Sequence, residues 1–361
     1  MRPHIKFILI LFSCIGLPLC AHSESVKVGV STPLTGPSAT YGTDIKNALN
    51  FINSEILKNR FTLVFEDDKC NGKDAVSVAK KLIHIDKVKA VIGFGCSGAL
   101  LSAAPIYNAA KIPAVGLTTS SPLISKAGPY IIRTCPSDRM AVPQMLNIIR
   151  KNSKRVAGFF EETDFAQDYR NELTKLNDSQ DVSFFNQNFQ SSEVNFRSQA
   201  LRALGEKPDA VLIIAQAEES LLSIVKAVRQ LNPTIQIYGH VYPGSPAFLK
   251  QAQSLAEGII YTDFPPIEKL MTDEGVTHFE NFEKQYGNIK TQNWIFALAY
   301  ATLIALDQSR VGDSISIDLL KNGHYKGFLK NEVAFYTNGD IKGIDFVVRK
   351  ISNQHAVDFS M

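Results

Sequence analysis

The chain has 361 residues, of which 45% are hydrophobic and 20% are charged, and its formal net charge at pH 7 is +3. This is the composition of an ordinary globular protein, and the length allows two domains with cores of their own. The near-balance of charge offers neither a basic face for nucleic acid nor a polybasic membrane anchor, so both kinds of partner are excluded.

The N-terminus predicts a secretory signal peptide at residues 1–23. Arg2 and Lys6 precede the apolar run FILILFSCIGL, and the small residues of AHS follow it. That order is typical of Sec export, and the run is shorter than the roughly 20 apolar residues of a spanning helix. We expect cleavage after Ser23 and export to the periplasm. Lipidation of Cys20 is the alternative, which Leu19 disfavours because a small residue should precede a lipidated cysteine.

After the signal peptide, strands and helices alternate. The apolar run VKVGV (26–30) predicts a strand, and the next segment has apolar residues at helical spacing: Ile45, Ala48, Leu49, Ile52 and Ile56. The strands TLVFE, KAVIGF and IPAVGL follow, separated by helices. A second series contains the strands RVAGFF (155–160), VSFFNQ, DAVLIIA (209–215), IQIYG and GIIYTDF. Such alternation predicts an α/β fold with two doubly wound parallel-sheet lobes.

From Thr272 the pattern becomes helical, and it ends in the short strands EVAFYT and DFVVRKIS around the turn TNGD. No linker composition separates these helices from the preceding strand, so we expect them to return to the first lobe. The predicted division is residues 24–138 plus 263–343 for lobe I, and 139–262 plus 344–361 for lobe II.

The stretch VIGFGCSGALL contains a G-x-G-x-x-G motif at Gly93, Gly95 and Gly98. A dinucleotide site would need an acidic residue about 20 positions later, and IPAVGLTTSSPLISKAG contains none. The strand–turn–helix geometry remains, and a helix that begins near Ser97 presents free N–H groups that suit a carboxylate. The alternative is that Ser97 only caps its helix.

Two further loops should reach the same sheet edge. GLTTSSP (116–122) follows the next strand, and STPLTGPSATYG follows the first strand and brings Tyr41 with it. Ligands bind at the carboxyl ends of the strands in open α/β sheets. Hydroxyls, free amides and an aromatic ring at one edge therefore predict a pocket for a small carboxylate.

Three cysteines remain after signal cleavage, so three pairings are possible in an oxidising compartment. Cys70 and Cys96 each follow a strand of the same predicted sheet. If those strands are adjacent, their ends meet at one edge, which favours a Cys70–Cys96 disulfide. Cys135 is then expected to be a buried free thiol.

Six segments in order resemble the periplasmic leucine/isoleucine/valine-binding proteins of ABC importers, which are type I periplasmic binding proteins: VKVGVSTPLTGPSATYG, FEDDKCNGKDAVSVAKKLI, VKAVIGFGCSGA, TTSSP, YIIRTCPSD and SLAEGIIYTDF. The resemblance implies two lobes joined by three hinge segments that close over a ligand, with the same disulfide. It also implies a non-enzymatic, monomeric protein without a cofactor that delivers its ligand to an inner-membrane ABC permease.

The resemblance implies seven ligand contacts: Tyr41, Ser97, Thr118, Ser120, Phe165, Gln216 and Tyr242. In these roles Ser97 and Ser120 donate to the ligand carboxylate through hydroxyls and amides, and the Thr118 carbonyl accepts from the ammonium group. Tyr41 packs over the ligand and Phe165 contacts its side chain. Gln216 replaces a tyrosine that is common in the family.

One departure concerns the ligand. The family's acid that binds the ammonium group should follow IYG, where this chain has His240, Val241 and Tyr242. Either an acid in the segment 161–164 replaces it, or the ligand has no ammonium group. We expect an apolar or aromatic amino acid, with an aromatic or keto acid or an amide as alternatives. The loop of His240 should face the cleft.

Other functions have weaker support in the sequence. The fold also serves periplasmic ligand sensors and accessory proteins, which stay as an alternative. The scattered histidines show no metal-ligand spacing, and no G-x-S-x-G motif is present. The segment that begins EDDKCNGKD resembles a calcium-binding loop, but Lys69 occupies a ligand position and Val78 occupies the position of the closing acid. We therefore expect no metal site, and we expect no catalysis.

Overall fold

The computed structural model describes residues 25–179 and 181–359, so the predicted signal peptide lies outside the described residues. Its strands are β1 Val26–Thr32, β2 Phe61–Asp67, β3 Ala90–Gly93, β4 Ala114–Gly116, β5 Ile131–Arg133, β6 Arg155–Glu161, β7 Ser183–Phe189, β8 Ala210–Ile214, β9 Gln236–His240, β10 Ile260–Asp263, β11 Arg310–Val311, β12 Ser314–Ile315, β13 Ala334–Phe335, β14 Ile341–Lys342, β15 Val347–Ser352 and β16 His355–Asp358.

The α-helices are α1 Ala39–Phe51, α2 Gly72–His84, α3 Ser97–Ala110, α4 Asp138–Asn152, α5 Asp164–Leu176, α6 Arg197–Gly205, α7 Glu218–Leu231, α8 Pro246–Ala252, α9 Ile267–Leu270, α10 Asp273–Tyr286, α11 Trp294–Gln308 and α12 Ile317–Asn322. A π-helical turn, Ile52–Ile56, continues α1. Among the described helices, none has both the length and the apolar character needed to cross a bilayer.

The first sheet has the order β2-β1-β3-β4-β5, and all of its strands are parallel. Val28 of β1 pairs with Leu63 of β2 on one side and with Ala90 of β3 on the other. Val28 is fully buried because helices cover both faces of the sheet. Both faces of such strands pack against helices, which explains their continuous apolar runs.

The second sheet has the order β16-β15-β10-β9-β8-β6-β7. The strands from β10 to β7 are parallel, whereas β15 is antiparallel to β10 and β16 is antiparallel to β15. The alternation pattern did not predict these two antiparallel strands. The chain enters β15 directly from the other lobe, without the helical crossover that makes neighbouring strands parallel. The two-lobe α/β architecture is confirmed.

The chain passes between the two sheets three times, through residues 134–137, 264–266 and 343–346. Between the second and third crossings, α10 and α11 return to the first sheet. The ring of Phe51 on α1 lies 5.7 Å from that of Phe282 and 5.9 Å from that of Phe296. The turn TNGD closes the small hairpin of β13 and β14, and DFVVRKIS belongs to the second sheet.

The predicted disulfide between Cys70 and Cys96 is present, with its Cα atoms 5.3 Å apart. The two preceding strands, β2 and β3, are not adjacent but flank β1. The bridge therefore spans the carboxyl end of β1, and the assumption of adjacent strands was wrong although the pairing was right. Cys135 is a free, buried thiol whose pKa burial raises to about 12.

We expect reduction of Cys70–Cys96 to lower the free energy of unfolding by about 3–4 kcal/mol, because a closed loop of this length restricts the unfolded chain. Denaturant unfolding with and without reductant measures the change. The double variant Cys70→Ser/Cys96→Ser should show no response to reductant, whereas Cys135→Ala should keep it. A Cys96–Cys135 crosslink in exported protein would contradict this pairing.

Candidate ligand-binding site

A narrow cavity lies between the two lobes at the carboxyl ends of their strands, with only about 20 Å³ open to the centre of a water-sized sphere. It is lined by Tyr41, Gly95, Cys96, Ser97, Thr118, Ser120, Phe165, Gln216, Val241, Tyr242, Phe264 and Trp294. All seven residues predicted to contact a ligand are among them, although they come from distant parts of the chain. Their roles toward a ligand remain predictions.

The glycines of the G-x-G-x-x-G stretch bring the backbone close to this cavity. Gly93 has a φ of +102°, which a residue with a side chain rarely adopts. At Gly98 a side chain would collide with the carboxylate of Asp164, which comes from the other lobe. The motif therefore permits a tight turn and close contact between lobes, and α3 begins at the cavity wall.

Ser97 is the first residue of α3 and is only 3% exposed. Its Oγ accepts a hydrogen bond from the Ser121 backbone N–H at 3.3 Å, so the hydroxyl proton remains able to donate. The N-cap position belongs to Cys96, whose side chain makes no capping hydrogen bond. The alternative in which Ser97 only caps its helix is therefore wrong. The first turn of α3 offers N–H groups to an anion.

The neighbouring loop is held by Arg133, a fully buried residue of β5. Its Nη1 donates to three successive backbone carbonyls at 3.2, 3.0 and 2.7 Å: those of Thr119, Ser120 and Ser121. Its Nη2 forms an ion pair with Asp340 at 2.6 Å. One guanidinium group therefore holds three successive carbonyls of the loop beside Ser97.

Ser120 differs from its predicted role in one respect. Its hydroxyl donates to Asp138 Oδ2 at 3.0 Å, so that proton is already used within the protein. Asp138 Oδ1 in turn lies 3.0 Å from His240 Nε2, and His240 Nδ1 lies 2.7 Å from Thr262 Oγ1. The His240 side chain is buried and does not line the cavity, whereas the loop that follows it does, through Val241 and Tyr242. The four side chains link the two lobes through the first hinge.

Aromatic rings form much of the remaining wall. Phe165 stacks on the ring of His240, with centroids 5.6 Å apart, and Phe264 packs against Trp294 at 4.3 Å. The rings of Tyr41 and Tyr242, one from each lobe, lie 6.3 Å apart. Nothing in the sequence pattern distinguishes Phe264 and Trp294 from ordinary core residues, and neither was predicted.

Val241 also lines the cavity and has an unusual backbone, with a φ of +60°. This conformation is a rare one for a β-branched residue and costs about 1–3 kcal/mol. Two hydrogen bonds fix it: the Val241 N–H donates to the Thr262 carbonyl at 2.7 Å, and the Gln292 side chain donates to the Val241 carbonyl at 2.9 Å. The turn directs the next residue, Tyr242, into the cavity.

A larger and more open space of about 610 Å³ adjoins this cavity and shares Cys96 and Gln216 with it. At its edge the Gln216 amide donates to Cys70 Sγ at 2.6 Å, and the Ser121 hydroxyl donates to Asp168. Both contacts join the two lobes. The lobes are therefore in contact around the inner cavity, which is the closed arrangement of a two-lobe protein.

Charged groups around the site are acidic. No lysine or arginine lines either space in the part of the chain that the structure describes. The described residues also contain no group of histidine, cysteine or acidic side chains able to hold a metal ion. An anion in the inner cavity would therefore be held by hydrogen bonds and the dipole of α3.

The acids of the segment 161–164 do not supply a free carboxylate to the inner cavity. Glu161 is buried and uses both oxygens, accepting from the Gln216 backbone N–H and the Ser191 hydroxyl. Glu162 and Asp164 line the outer space instead. The idea that this segment replaces the family's acid therefore has no support in the geometry.

Residues 25–308 match the family model described as "Periplasmic binding protein", and the chain belongs to this family. It is 25% identical to the Leu/Ile/Val-binding protein of Citrobacter freundii over an alignment that covers 94% of this chain and 95% of that protein.

Solved structures share the fold. A leucine-binding protein from Thermotoga maritima superposes with a TM-score of 0.79 at 23% identity, covering 93% of this chain and 98% of that one. A solute-binding protein of an ABC transporter from Rhodopseudomonas palustris, in complex with benzoate, superposes with a TM-score of 0.78 at 17% identity, covering 92% and 95%.

We expect Arg133→Met to destabilise the protein by about 1–3 kcal/mol, because it removes the buried donor group that Asp340 and three backbone carbonyls share. Arg139→Met is the matched control, since Arg139 is an exposed arginine in the first turn of α4. Chemical denaturation of both variants measures the difference. Equal stability of the two variants would contradict the role assigned to Arg133.

Proposed function

We propose that this protein is the periplasmic solute-binding component of an ABC importer. It captures a small carboxylate ligand between its lobes and delivers it to an inner-membrane permease. The observation that carries the proposal is the inner cavity, in which seven predicted contact residues from both lobes meet the N-terminus of α3. In the proposed division, residues 24–138 plus 263–343 form lobe I, and 139–262 plus 344–361 form lobe II.

The proposed anion site is the first turn of α3 together with the loop that Arg133 holds. The Ser97 hydroxyl still has its proton to donate, whereas the Ser120 hydroxyl donates to Asp138. Ser120 would therefore contribute its backbone amide. Each hydrogen bond to the carboxylate would contribute about 1.5–3 kcal/mol in a cavity that excludes water.

Hinge closure would couple capture to delivery. The ligand binds lobe I first, and lobe II then closes over it through the contacts of Ser121 with Asp168 and of Gln216 with Cys70. A ligand shifts the open–closed equilibrium only by its differential affinity for the two states. The permease would recognise the closed form, so delivery would follow ligand binding. Nothing in this cycle requires a bond to be broken, which favours binding without catalysis.

The proposed ligand is an amino acid with an apolar or aromatic side chain. Relatives named for leucine, isoleucine and valine support this class, as do the aromatic walls of the cavity. An aromatic carboxylate is the second candidate. It is favoured by the five rings that line the cavity and by the benzoate complex of a protein with the same fold.

The direct test is calorimetry of the refolded, ligand-free protein with leucine, phenylalanine and benzoate, combined with mass spectrometry of small molecules released from freshly purified protein. Saturable binding of at least one carboxylate at a stoichiometry of about one supports the proposal. No binding of any carboxylate, and no released carboxylate, would contradict it.

We expect Ser97→Ala to weaken carboxylate binding by at least about 1 kcal/mol, because it removes a hydroxyl donor that faces the bound anion. Melting without ligand should change little. Ser102→Ala is the matched control, since Ser102 is an exposed serine on the same helix. If Ser97→Ala binds normally and melts early, the hydroxyl supports the structure and does not bind the ligand.

A further inference from the structure

Val241 forms a strained turn in the wall of the inner cavity. Its φ of +60° and ψ of −66° are those of a γ-turn, which is rare for any residue and more so for one with a branched Cβ. Such a conformation persists only where the surrounding structure fixes it, and it is found most often at ligand sites and switches. The contacts that fix Val241 therefore bear on the function of the cavity.

Three hydrogen bonds hold this turn, and one of them comes from the other lobe. The Val241 N–H donates to the Thr262 carbonyl at 2.7 Å, and the Val241 carbonyl accepts from the Gly244 N–H at 3.4 Å. The third donor is the side-chain amide of Gln292, 2.9 Å from the same carbonyl. Gln292 is buried and lies just before α11, which packs on the first sheet. The shorter of the two bonds to the carbonyl therefore depends on contact between the lobes.

Residues 290–292 form a loop that Asp44 of α1 fixes on the first lobe. Asp44 Oδ2 accepts from the Lys290 and Thr291 N–H groups at 3.1 and 2.9 Å, and from the Thr291 hydroxyl at 2.8 Å. The Lys290 carbonyl accepts from the Ala247 N–H of the second lobe at 3.2 Å. One carboxylate thus holds a loop whose backbone and side chains both bind the opposite lobe.

The residue after the strained turn affects the width of the cavity. The ring of Tyr242 lies 6.3 Å from that of Tyr41, which comes from the other lobe, and both line a narrow space. The dihedral angles of Val241 set the direction of the chain into Tyr242. If Val241 relaxed to a negative φ, the Tyr242 ring would move. Its position therefore depends on the bond from Gln292.

We propose that Gln292 is a positioning residue for ligand binding: by holding the strained turn at Val241, it places the Tyr242 ring against the ligand when the lobes close. The inference rests on the proposed function and adds a control of the same site. Gln292 itself is not among the residues that line the described cavity. Opening of the lobes would break its bond to Val241, so closure and the shaping of the wall occur together.

The test compares wild type with Gln292→Met, in which the side chain keeps its length and loses the amide donor. Gln285→Met is the matched control, since Gln285 is exposed near the end of α10. The probes are leucine, phenylalanine and benzoate. The readouts are calorimetry and the fluorescence of Trp294, which is the single tryptophan of the sequence and lines the cavity.

We expect Gln292→Met to bind the probe that wild type binds at least about fivefold more weakly, with unchanged stoichiometry, and Gln285→Met to stay within about twofold of wild type. Stopped-flow fluorescence should show the loss mainly as faster dissociation, because the missing bond belongs to the closed state. The melting temperature without ligand should change little, since relaxation of Val241 offsets the lost hydrogen bond.

The variant Val241→Gly gives a readout that a merely structural role would not move. Glycine adopts a positive φ without strain, so its turn does not need the bond from Gln292. Adding Gln292→Met to Val241→Gly should therefore change the affinity by less than about twofold, although the same substitution weakens binding in the wild-type background.

The outcomes separate this inference from the proposed function. Wild-type affinity in Gln292→Met would overturn the positioning role and leave the binding function in place. An equally large loss of affinity in the Val241→Gly background would also overturn it, because Gln292 would then act independently of the strained turn. If wild type binds none of the three probes, the proposed function fails and the inference fails with it.

Discussion

The site depends on one buried guanidinium group. Arg133 is fully buried, pairs with Asp340 and binds three successive carbonyls of the loop 119–121. Removing this group would cost stability, because the loop carbonyls would lose the donor that they share. The loop beside Ser97 is therefore fixed before any ligand arrives, and its polar groups need no reordering on binding. Asp340 belongs to the hairpin between the last two crossings, so a late segment of the chain determines the shape of an early one.

Around that loop, backbone dipoles and hydrogen bonds are the groups available to stabilise the charge of an anion. No basic side chain lines the described cavity, and the N-terminus of α3 takes the place of one. Dipoles fixed by the fold stabilise an anion without the flexible side chain that a lysine would bring. The disulfide between Cys70 and Cys96 holds this helix start against α2, and Gln216 reaches its sulfur from the other lobe. The anion site, the disulfide and lobe closure are thus parts of one contact region.

His240, the residue that follows IYG, has a structural role in this protein. His240 is not a ligand group but forms a buried connection from Asp138 to Thr262, with the rings of Phe165 and Phe346 packed against it. It strengthens the first hinge at a place where an acid would otherwise face the cavity.

The sequence by itself determined the alternating α/β architecture, which follows from apolar periodicity and from the glycines and polar residues at strand ends. The seven residues expected at the cavity came from the resemblance to a known family, which also implies the pairing of Cys70 with Cys96. Only the tertiary structure decided that Ser120 gives its hydroxyl proton to Asp138, that β15 and β16 are antiparallel, and that Glu161 uses both carboxylate oxygens within the protein. Each of these depends on which atoms meet after folding. The same holds for the contact between Asp138 and His240, which are 102 positions apart in the chain. No local pattern carries that information.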